Sequence, residues 1–152
     1  MSIDRVTGGT GARAGEAEVL RRFIDAINTW DFDAIRDILD PDCVFEMPFA
    51  PGDFPRRIEG RAATMEFLSR MPDFIEPENL HDVTIHAFTD DPAELLAQYR
   101  SATRLRSTGA EYRNSYVVRA RVRDRRLQRF AEYFDPVPLV IAMGGTVQVP
   151  PA

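Results

Sequence analysis

The stretch EYRNSYVVRARVRDRRLQRFAEYF, residues 111–134, decides the fold. Residues 111–123 alternate between two kinds of side chain, and such a period of two is typical of a strand with one buried face. One parity carries Tyr112, Asn114, Tyr116, Val118 and Ala120; the other carries Arg113, Ser115, Val117, Arg119, Arg121 and Arg123. The polar pair Asp124–Arg125 separates this run from Arg126–Phe134. The pattern predicts two antiparallel strands joined by a tight turn.

Two further strand-like runs precede this pair. They are His81–Phe88 and Glu94–Leu105, and short polar segments, TDDP at 89–92 and RSTG at 106–109, follow them. Short polar turns between runs rich in β-branched and aromatic residues predict an antiparallel meander. Residues 81–134 are therefore predicted to form four consecutive strands.

The first half of the chain shows helical periodicity instead. From Glu16, apolar residues fall at spacings of one, three and four, which indicates a helix stripe: Val19, Leu20, Phe23, Ile24, Ile27 and Trp30. Asp31 is a candidate cap for a second, shorter helix, and Ala62–Met71 is predicted as a third. Between them we expect a short strand, Cys43–Met47, and a loop over residues 48–60 with three prolines and two glycines. Helices early and strands late predict an α+β domain, one curved antiparallel sheet with helices against one face.

Length and composition predict a single domain of a soluble globular class. We expect a disordered leader over residues 1–15, one domain over 16–145 and a flexible tail over 146–152. No apolar run approaches the ~20 residues that cross a bilayer, so no membrane partner is expected. Cys43 is the only cysteine, which excludes an internal disulfide and a zinc cluster and suits a cytoplasmic location.

Arginine is concentrated in one region. Ten arginines lie between residues 100 and 129, against only Glu111 and Asp124, although the net charge of the chain is −5. Such a patch can attract nucleic acid or phosphorylated ligands. Proteins that bind single-stranded nucleic acid place aromatic residues on the basic face, however, and here the aromatic residues lie mainly on the opposite parity. We therefore expect no nucleic-acid partner and predict that the arginines face solvent or a second subunit.

Glu132 is the leading candidate for chemistry. It shares its parity with Phe130 and Phe134, so the alternation aims a carboxylate at the apolar face. Loss of water between phenyl rings raises the pKa of a carboxyl group, and such a group can exchange protons with a substrate near neutral pH. The structural alternative is that Glu132 is simply paired with an inward arginine or a tyrosine hydroxyl.

Other residues are placed near Glu132 by the same parity argument. Asn114 and Tyr116, one strand away, are candidate donors to a carbonyl or enolate oxygen, or they only satisfy each other in the core. His81 has the parity of Val83 and Ile85 and is a candidate second titrating group, or else a surface turn residue. Candidate substrate-binding wall residues are Trp30, Met47, Phe130 and Phe134.

Three segments carry a resemblance to a known family: DCVFEMPFAPGDFPRRIEGRAATMEFL at 42–68, RNSYVVRARVRDRRLQRFAEYFDP at 113–136 and PLVIAMGG at 138–145. With the order of elements from Glu16 to Gly145, they resemble the nuclear-transport-factor-like superfamily, most closely its SnoaL-like polyketide cyclases and phenazine-biosynthesis A/B proteins. The resemblance implies a cone-shaped sheet with three N-terminal helices on its concave face. It also implies a homodimer joined through the outer sheet face, and a pocket glutamate in acid/base chemistry that maps onto Glu132. Met47 stands where steroid isomerases of this fold carry an aspartate base.

The expected function is that of a cofactor-independent, metal-free enzyme. It would isomerise, cyclise or dehydrate an apolar, carbonyl-bearing, polyketide-like secondary metabolite, by acid/base chemistry or by holding it in a reactive shape. A non-catalytic carrier of a hydrophobic molecule is the main alternative, and an anion or nucleic-acid binder using the arginines is the third.

Overall fold

The computed structural model describes residues 5–7 and 11–152, with side chains from residue 15 onward. Its elements in chain order are β1 (Arg5–Thr7), α1 (Gly11–Thr29), α2 (Phe32–Ile38), β2 (Leu39–Glu46), β3 (Arg57–Glu59), α3 (Arg61–Ser69), α4 (Met71–Phe74), β4 (His81–Ala87), β5 (Glu94–Arg104), β6 (Glu111–Arg123), β7 (Arg126–Phe134) and α5 (Pro136–Ala142).

Within these described residues, seven strands form one sheet in the order β1-β4-β5-β6-β7-β2-β3. Strands β4 to β7 pair antiparallel with one another in chain order, β4 with β5, β5 with β6 and β6 with β7, as the meander prediction requires. The sheet is extended by two parallel pairings, β1 with β4 and β2 with β7, and by the antiparallel pair β2–β3. The α+β class with a curved, mostly antiparallel sheet is confirmed.

The stretch that decides the fold has the predicted bounds, since β6 and β7 are Glu111–Arg123 and Arg126–Phe134. Along β6 the inward parity is buried, while the arginine parity is exposed or half-buried. Asp124 and Arg125 have φ angles of 52° and 61°. Positive φ at both central residues is the geometry of a type I′ turn, whose twist matches that of the two strands it joins.

The helices cover one face of the sheet. α1 contacts β4, β6 and β7, and its predicted stripe from Val19 to Ile27 is buried. α1 ends at Thr29, and Trp30 leaves the helix with a φ of 51°. Asp31 then caps α2, because its side chain accepts a hydrogen bond from Ala34 N. Burial of the α1 stripe against the sheet forms the main core.

Several boundaries differ from the sequence predictions. The third helix is split into α3 and α4 around Arg70, β2 begins at Leu39, four residues early, and β3 and α5 were not predicted. The sequence predicts a disordered leader over residues 1–15. In the structure, residues 5–7 form β1 and residues 11–15 begin α1. Residues 1–4 and 8–10 lie outside the described residues. Ala12 and Ala14 are strong helix formers, which explains the early start of α1. Residues 146–152 are exposed, and their flexibility remains a prediction.

Candidate functional site

A cavity lies between the helices and the sheet. Its volume is ≈ 80 Å³, counted as the space open to the centre of a water molecule. That exceeds the ~10–15 Å³ which a single water needs on the same measure. Most of the wall is apolar, with contributions from α1, β2, α3, α4, β7 and α5, and its ionisable residues are Glu78, Glu132, Tyr99, Tyr112 and Tyr116.

Glu132 reaches this cavity from β7. Its neighbours of the same parity, Phe130 and Phe134, also line the cavity, as the alternation predicted. Glu132 retains some accessible surface although it is enclosed by protein, as a side chain on a cavity wall is. Burial raises the pKa of Glu132 to about 7, and the hydrogen bond from Tyr99 partly opposes that rise. The carboxyl group therefore changes protonation near neutral pH.

Tyr99 holds the carboxyl group of Glu132. Tyr99 is buried on β5, and its Oη donates a hydrogen bond to Glu132 Oε2. Burial and the nearby Glu132 raise the pKa of Tyr99 well above its usual value, so the phenol stays protonated and remains a donor. Glu132 is therefore paired with a tyrosine hydroxyl, as the structural alternative for this residue predicted. The bond uses Oε2 and leaves the second carboxyl oxygen, Oε1, for other partners.

Glu78 is a second carboxyl group in the same cavity. It lies in the segment 75–80 between α4 and β4, which is fixed by backbone hydrogen bonds from Ala102 N to Glu78 O (3.2 Å) and from Glu76 N to Arg104 O (3.0 Å). Burial, reinforced by the charge of Glu132, raises the pKa of Glu78 to about 8. The cavity therefore holds two carboxyl groups that resist ionising together.

A chain of hydroxyl groups lies along the sheet wall of the cavity. Tyr116 Oη donates to Tyr112 Oη at 3.1 Å, and Ser101 Oγ lies 3.1 Å from Tyr116 Oη. Asn114 Nδ2 donates both to Tyr112 Oη (2.9 Å) and to Asp135 O (2.8 Å). Burial raises the pKa of Tyr112 to about 12, so this phenol is protonated throughout the neutral range.

Phenylalanine rings form a large part of the apolar wall. Phe130 is packed between Phe45, at a centroid distance of 5.3 Å, and Phe23, at 5.0 Å. Such a wall removes water from the carboxyl groups, which is the physical cause of their raised pKa values.

The structure brings five of the eight predicted site residues to the cavity. They are Glu132, Tyr116, Met47, Phe130 and Phe134. Their functional roles remain predictions, because position alone does not establish a role.

Three predicted site residues lie elsewhere. His81 is partly exposed, and its Nδ1 lies 2.8 Å from Asn79 O at the surface. The parity argument failed there because Asp82 has a φ of 53° and the pairing register shifts between His81 and Thr84. Trp30 stacks on Phe32 at 6.0 Å, outside the cavity wall, because its positive φ takes it off the helix stripe.

Asn114 points inward as predicted but does not line the cavity. Its amide nitrogen donates to the Tyr112 hydroxyl and to the Asp135 carbonyl instead. Asn114 and Tyr116 do not simply satisfy each other, since both donate to Tyr112.

Sequence reasoning missed Glu78, Tyr99 and Tyr112 as site residues. Tyr99 and Tyr112 could have been found, because each occupies the inward parity of its own strand. Glu78 had no such signal, because it lies in a segment without helix or strand periodicity, next to Pro77.

An outer groove adjoins the cavity. Its walls come from the loop at 51–55, the helices α3 and α4, and residues 140–145. Phe54, Phe67, Met71 and Phe74 line both spaces, so these four side chains form the partition between them. The predicted loop over residues 48–60 therefore lies beside the cavity.

Three arginines on the outward parity of β6 form ion pairs within the chain. Arg119 Nε lies 2.9 Å from Glu94, Arg121 Nη1 bonds both Asp91 (3.0 Å) and Glu94 (2.9 Å), and Arg113 bonds Glu111 (2.8 Å). These ion pairs offset part of the positive charge that the sequence concentrates there.

Among the residues the structure describes, no group of three or more His, Cys, Asp or Glu could hold a metal ion. In that same part of the chain, no helix is long and apolar enough to cross a membrane.

Residues 20–130 match the family model of the SnoaL-like domain. A curated relative, the uncharacterized protein YesE of Bacillus subtilis strain 168, is 30% identical over 129 residues, which is 85% of this chain and 87% of that protein. A crystal structure from Bacillus subtilis named "putative isomerase" has a TM-score of 0.82 at 28% identity, and the match covers 90% of this chain and 98% of that one.

A crystal structure from Xanthomonas campestris named "putative polyketide cyclase" has a TM-score of 0.75 at 24% identity. The match covers 87% of this chain and 98% of that chain. At this identity the similarity concerns the fold.

Proposed function

This chain belongs to the SnoaL-like domain family, and from that premise we propose that it is a cofactor-independent acid/base enzyme of the isomerase, cyclase or dehydratase type. Its substrate is an apolar, carbonyl-bearing small molecule, such as a polyketide-like secondary metabolite. A cytoplasmic location is part of the proposal, supported by the free thiol of Cys43.

The observation that carries the proposal is the pair of carboxyl groups in one apolar cavity, with pKa values raised to about 7 for Glu132 and about 8 for Glu78. Near pH 7.5 the favoured state of such a pair has one proton shared between two sites. The ionised group can accept a proton while the neutral group can donate one. Groups with pKa values near the working pH are the most effective acids and bases.

The proposed reaction starts at a carbon next to the substrate carbonyl. The carboxylate of Glu132 takes a proton from that carbon, and the electron pair of the broken C–H bond moves onto the carbonyl oxygen as an enolate. Return of the proton to a different carbon isomerises the substrate. In a dehydration, the enolate instead collapses and expels a hydroxyl group, which takes its proton from Glu78 and leaves as water.

Tyr99 acts as a positioning residue in this scheme. Its hydroxyl bonds Glu132 Oε2, which fixes the carboxylate plane and leaves Oε1 to face the substrate. Fixing the base in advance removes the entropy of orienting it during the reaction. The Bacillus subtilis structure named "putative isomerase" supports the reaction class, since it is 28% identical over 90% of this chain.

Proton exchange tests the proposal without knowledge of the natural substrate. A panel of apolar ketones is incubated with the protein in D2O, and deuterium uptake next to the carbonyl is followed by mass spectrometry. We expect Glu132→Gln to remain folded and to lose roughly 10²–10⁴-fold in exchange rate, the usual contribution of a general base. Glu111→Gln is the matched control, because Glu111 is an exposed carboxylate on the adjacent strand. Full exchange by Glu132→Gln contradicts the assignment.

Two alternatives have support in the same cavity. The ring-lined wall also suits cyclisation guided by shape alone, and in that case replacing Phe130 lowers turnover more than Glu132→Gln does. The wall suits a non-catalytic carrier as well. A carrier would return every bound ketone without deuterium, and Glu132→Gln would bind as the wild type does.

A further inference from the structure

The three tyrosines of the cavity differ in where their hydroxyl protons go. Tyr99 donates its proton to Glu132, and Tyr116 donates its proton to Tyr112. Both of these donors are therefore occupied in the folded chain. A tyrosine hydroxyl has one proton to donate and two lone pairs with which to accept. Tyr99 and Tyr116 therefore have no second proton to donate to a ligand.

Tyr112, in contrast, acts as an acceptor in its hydrogen bonds to other side chains. Its oxygen accepts two hydrogen bonds, from Asn114 Nδ2 at 2.9 Å and from Tyr116 Oη at 3.1 Å. Within the described part of the chain, its own proton has no acceptor. Both lone pairs of the Tyr112 oxygen already accept hydrogen bonds. Any further partner of this hydroxyl group must therefore accept its proton.

The bond from Tyr116 to Tyr112 sets the direction of the hydroxyl chain, including its contact with Ser101. Tyr116 gives its proton to Tyr112, so the contact of 3.1 Å between Ser101 Oγ and Tyr116 Oη is made with the serine proton. The bonds then run from Ser101 to Tyr116 to Tyr112, and Asn114 joins from the other side. Hydrogen bonds in such a chain polarise one another, and each bond accepted by Tyr112 makes its proton a better donor.

We propose that Tyr112 is the group that binds the substrate's carbonyl oxygen and donates to it as the oxygen becomes negative. Tyr112 lines the same cavity as Glu132, and among the described residues its hydroxyl proton has no acceptor. The ligand class is an apolar ketone or enone, whose oxygen accepts at Tyr112 while its ring or chain contacts the aromatic wall. The choice of a carbonyl ligand rests on the proposed function. The role replaces the one that the sequence assigned to Asn114 and Tyr116, which support Tyr112 instead.

The test uses acetophenone labelled with ¹³C at the carbonyl, bound to the full-length protein at pH 9. Both carboxyl groups are ionised at that pH, since the pKa values of Glu132 and Glu78 are about 7 and about 8, and Tyr112 is still protonated with a pKa of about 12. A hydrogen bond lowers the stretching frequency of a carbonyl group, which infrared difference spectroscopy measures. We expect the bound carbonyl to absorb at lower frequency than acetophenone in hexane.

Two variants separate donation from packing. Tyr112→Phe is expected to raise the carbonyl frequency to the hexane value and to weaken acetophenone binding about two- to tenfold, the net effect of one hydrogen bond. Tyr116→Phe removes a hydroxyl of the same size from the same wall but leaves the Tyr112 proton, so most of the shift remains. If Tyr112 had only a structural role, Tyr112→Phe and Tyr116→Phe would have the same effect on the carbonyl frequency.

Three results overturn the inference: no binding by the wild type, a bound carbonyl at the hexane frequency, or equal spectra for Tyr112→Phe and the wild type. The first two are measured on the wild-type protein, so they hold even if Tyr112→Phe does not fold. Glu132→Gln keeps the carbonyl shift if the inference is correct. Failure of proton exchange and failure of carbonyl binding are therefore observed separately.

Discussion

At the scale of single residues, the main feature is the burial of carboxyl groups beside aromatic rings. Glu132 and Glu78 lack a cationic partner on the cavity wall, because the described residues that line it include no arginine, lysine or histidine. Proteins seldom bury such groups unpaired, since the charged form loses its hydration. Two such groups in one cavity are the arrangement on which the proposed acid/base function rests.

The raised pKa values predict how stability changes with pH. A carboxyl group whose pKa is higher in the folded than in the unfolded state stabilises the fold fully below its unfolded pKa, near 4.5, and this contribution is lost as the pH rises through its folded pKa. We therefore expect the melting temperature to fall between pH 5 and pH 9. For Glu132 alone the loss is about 3 kcal/mol, at 1.36 kcal/mol per pKa unit. That corresponds to roughly 6–12 °C for a chain of this size.

Calorimetry at several pH values checks this. Glu132→Gln and Glu78→Gln should each flatten the profile, and the double variant should flatten it further. Asp91 and Glu111 act in the opposite direction, because a backbone or arginine partner lowers their pKa values. Burial opposes such a shift at Glu94, but its arginine partners outweigh it and lower its pKa as well. A wild-type melting temperature that stays constant from pH 5 to 9 contradicts the burial of these groups.

At the scale of elements, side-chain parity predicted the correct face in regular strands and the wrong face next to a strand irregularity. In β6 and β7, alternation placed Tyr116, Glu132 and both phenylalanines of β7 on the inner face. In β4 the irregularity after His81 turned that side chain to the surface. A bulge shifts every residue on one side of it by one position, which reverses the face. Sequence alternation does not reveal where such a shift occurs.

Helix α5 begins directly after Asp135, which is its N-cap residue. The Asp135 side chain accepts a hydrogen bond from Val137 N at 2.9 Å and so caps the helix, which carries Leu139 into the cavity wall. Loss of an N-cap costs about 1 kcal/mol. We expect Asp135→Ala to lower the free energy of unfolding by about that amount and to speed amide hydrogen exchange in α5.

The matched control for this variant is Asp31→Ala, which removes the equivalent cap of α2 from Ala34 N. It should have a similar effect on stability, with faster exchange confined to α2. Unchanged exchange in α5 after Asp135→Ala would show that the cap does not hold the helix.

At the scale of the whole molecule, the sheet has two different faces. The inner face packs on helices and forms the cavity, whereas the outer face carries paired arginines and a small apolar patch. That patch consists of Phe49, 56% exposed, Val117, 40% exposed, and Tyr133, whose ring packs edge-on against Phe49 at 5.4 Å. Polar groups around an apolar centre are the usual anatomy of an interface.

We propose that this outer face joins two copies of the chain. Val117→Arg would place an additional positive charge in the patch of both copies, beside arginines already present, and we expect it to convert a dimer to monomers in sedimentation velocity measurements. Val149→Arg in the exposed tail is the control and should leave the dimer intact. A wild-type protein that sediments as a monomer rules the dimer out.

The sequence alone determined the α+β class, the bounds of β6 and β7, and the inward direction of Glu132. These features follow from local periodicity, because each residue of a regular strand takes its face from its own position in the alternation. Only the tertiary structure decided which side chains meet. Glu78 comes from a segment without periodicity, Tyr99 reaches Glu132 from 33 positions away, and Tyr112 accepts hydrogen bonds from two other side chains. Such contacts depend on how whole elements pack, and local alternation does not encode that packing.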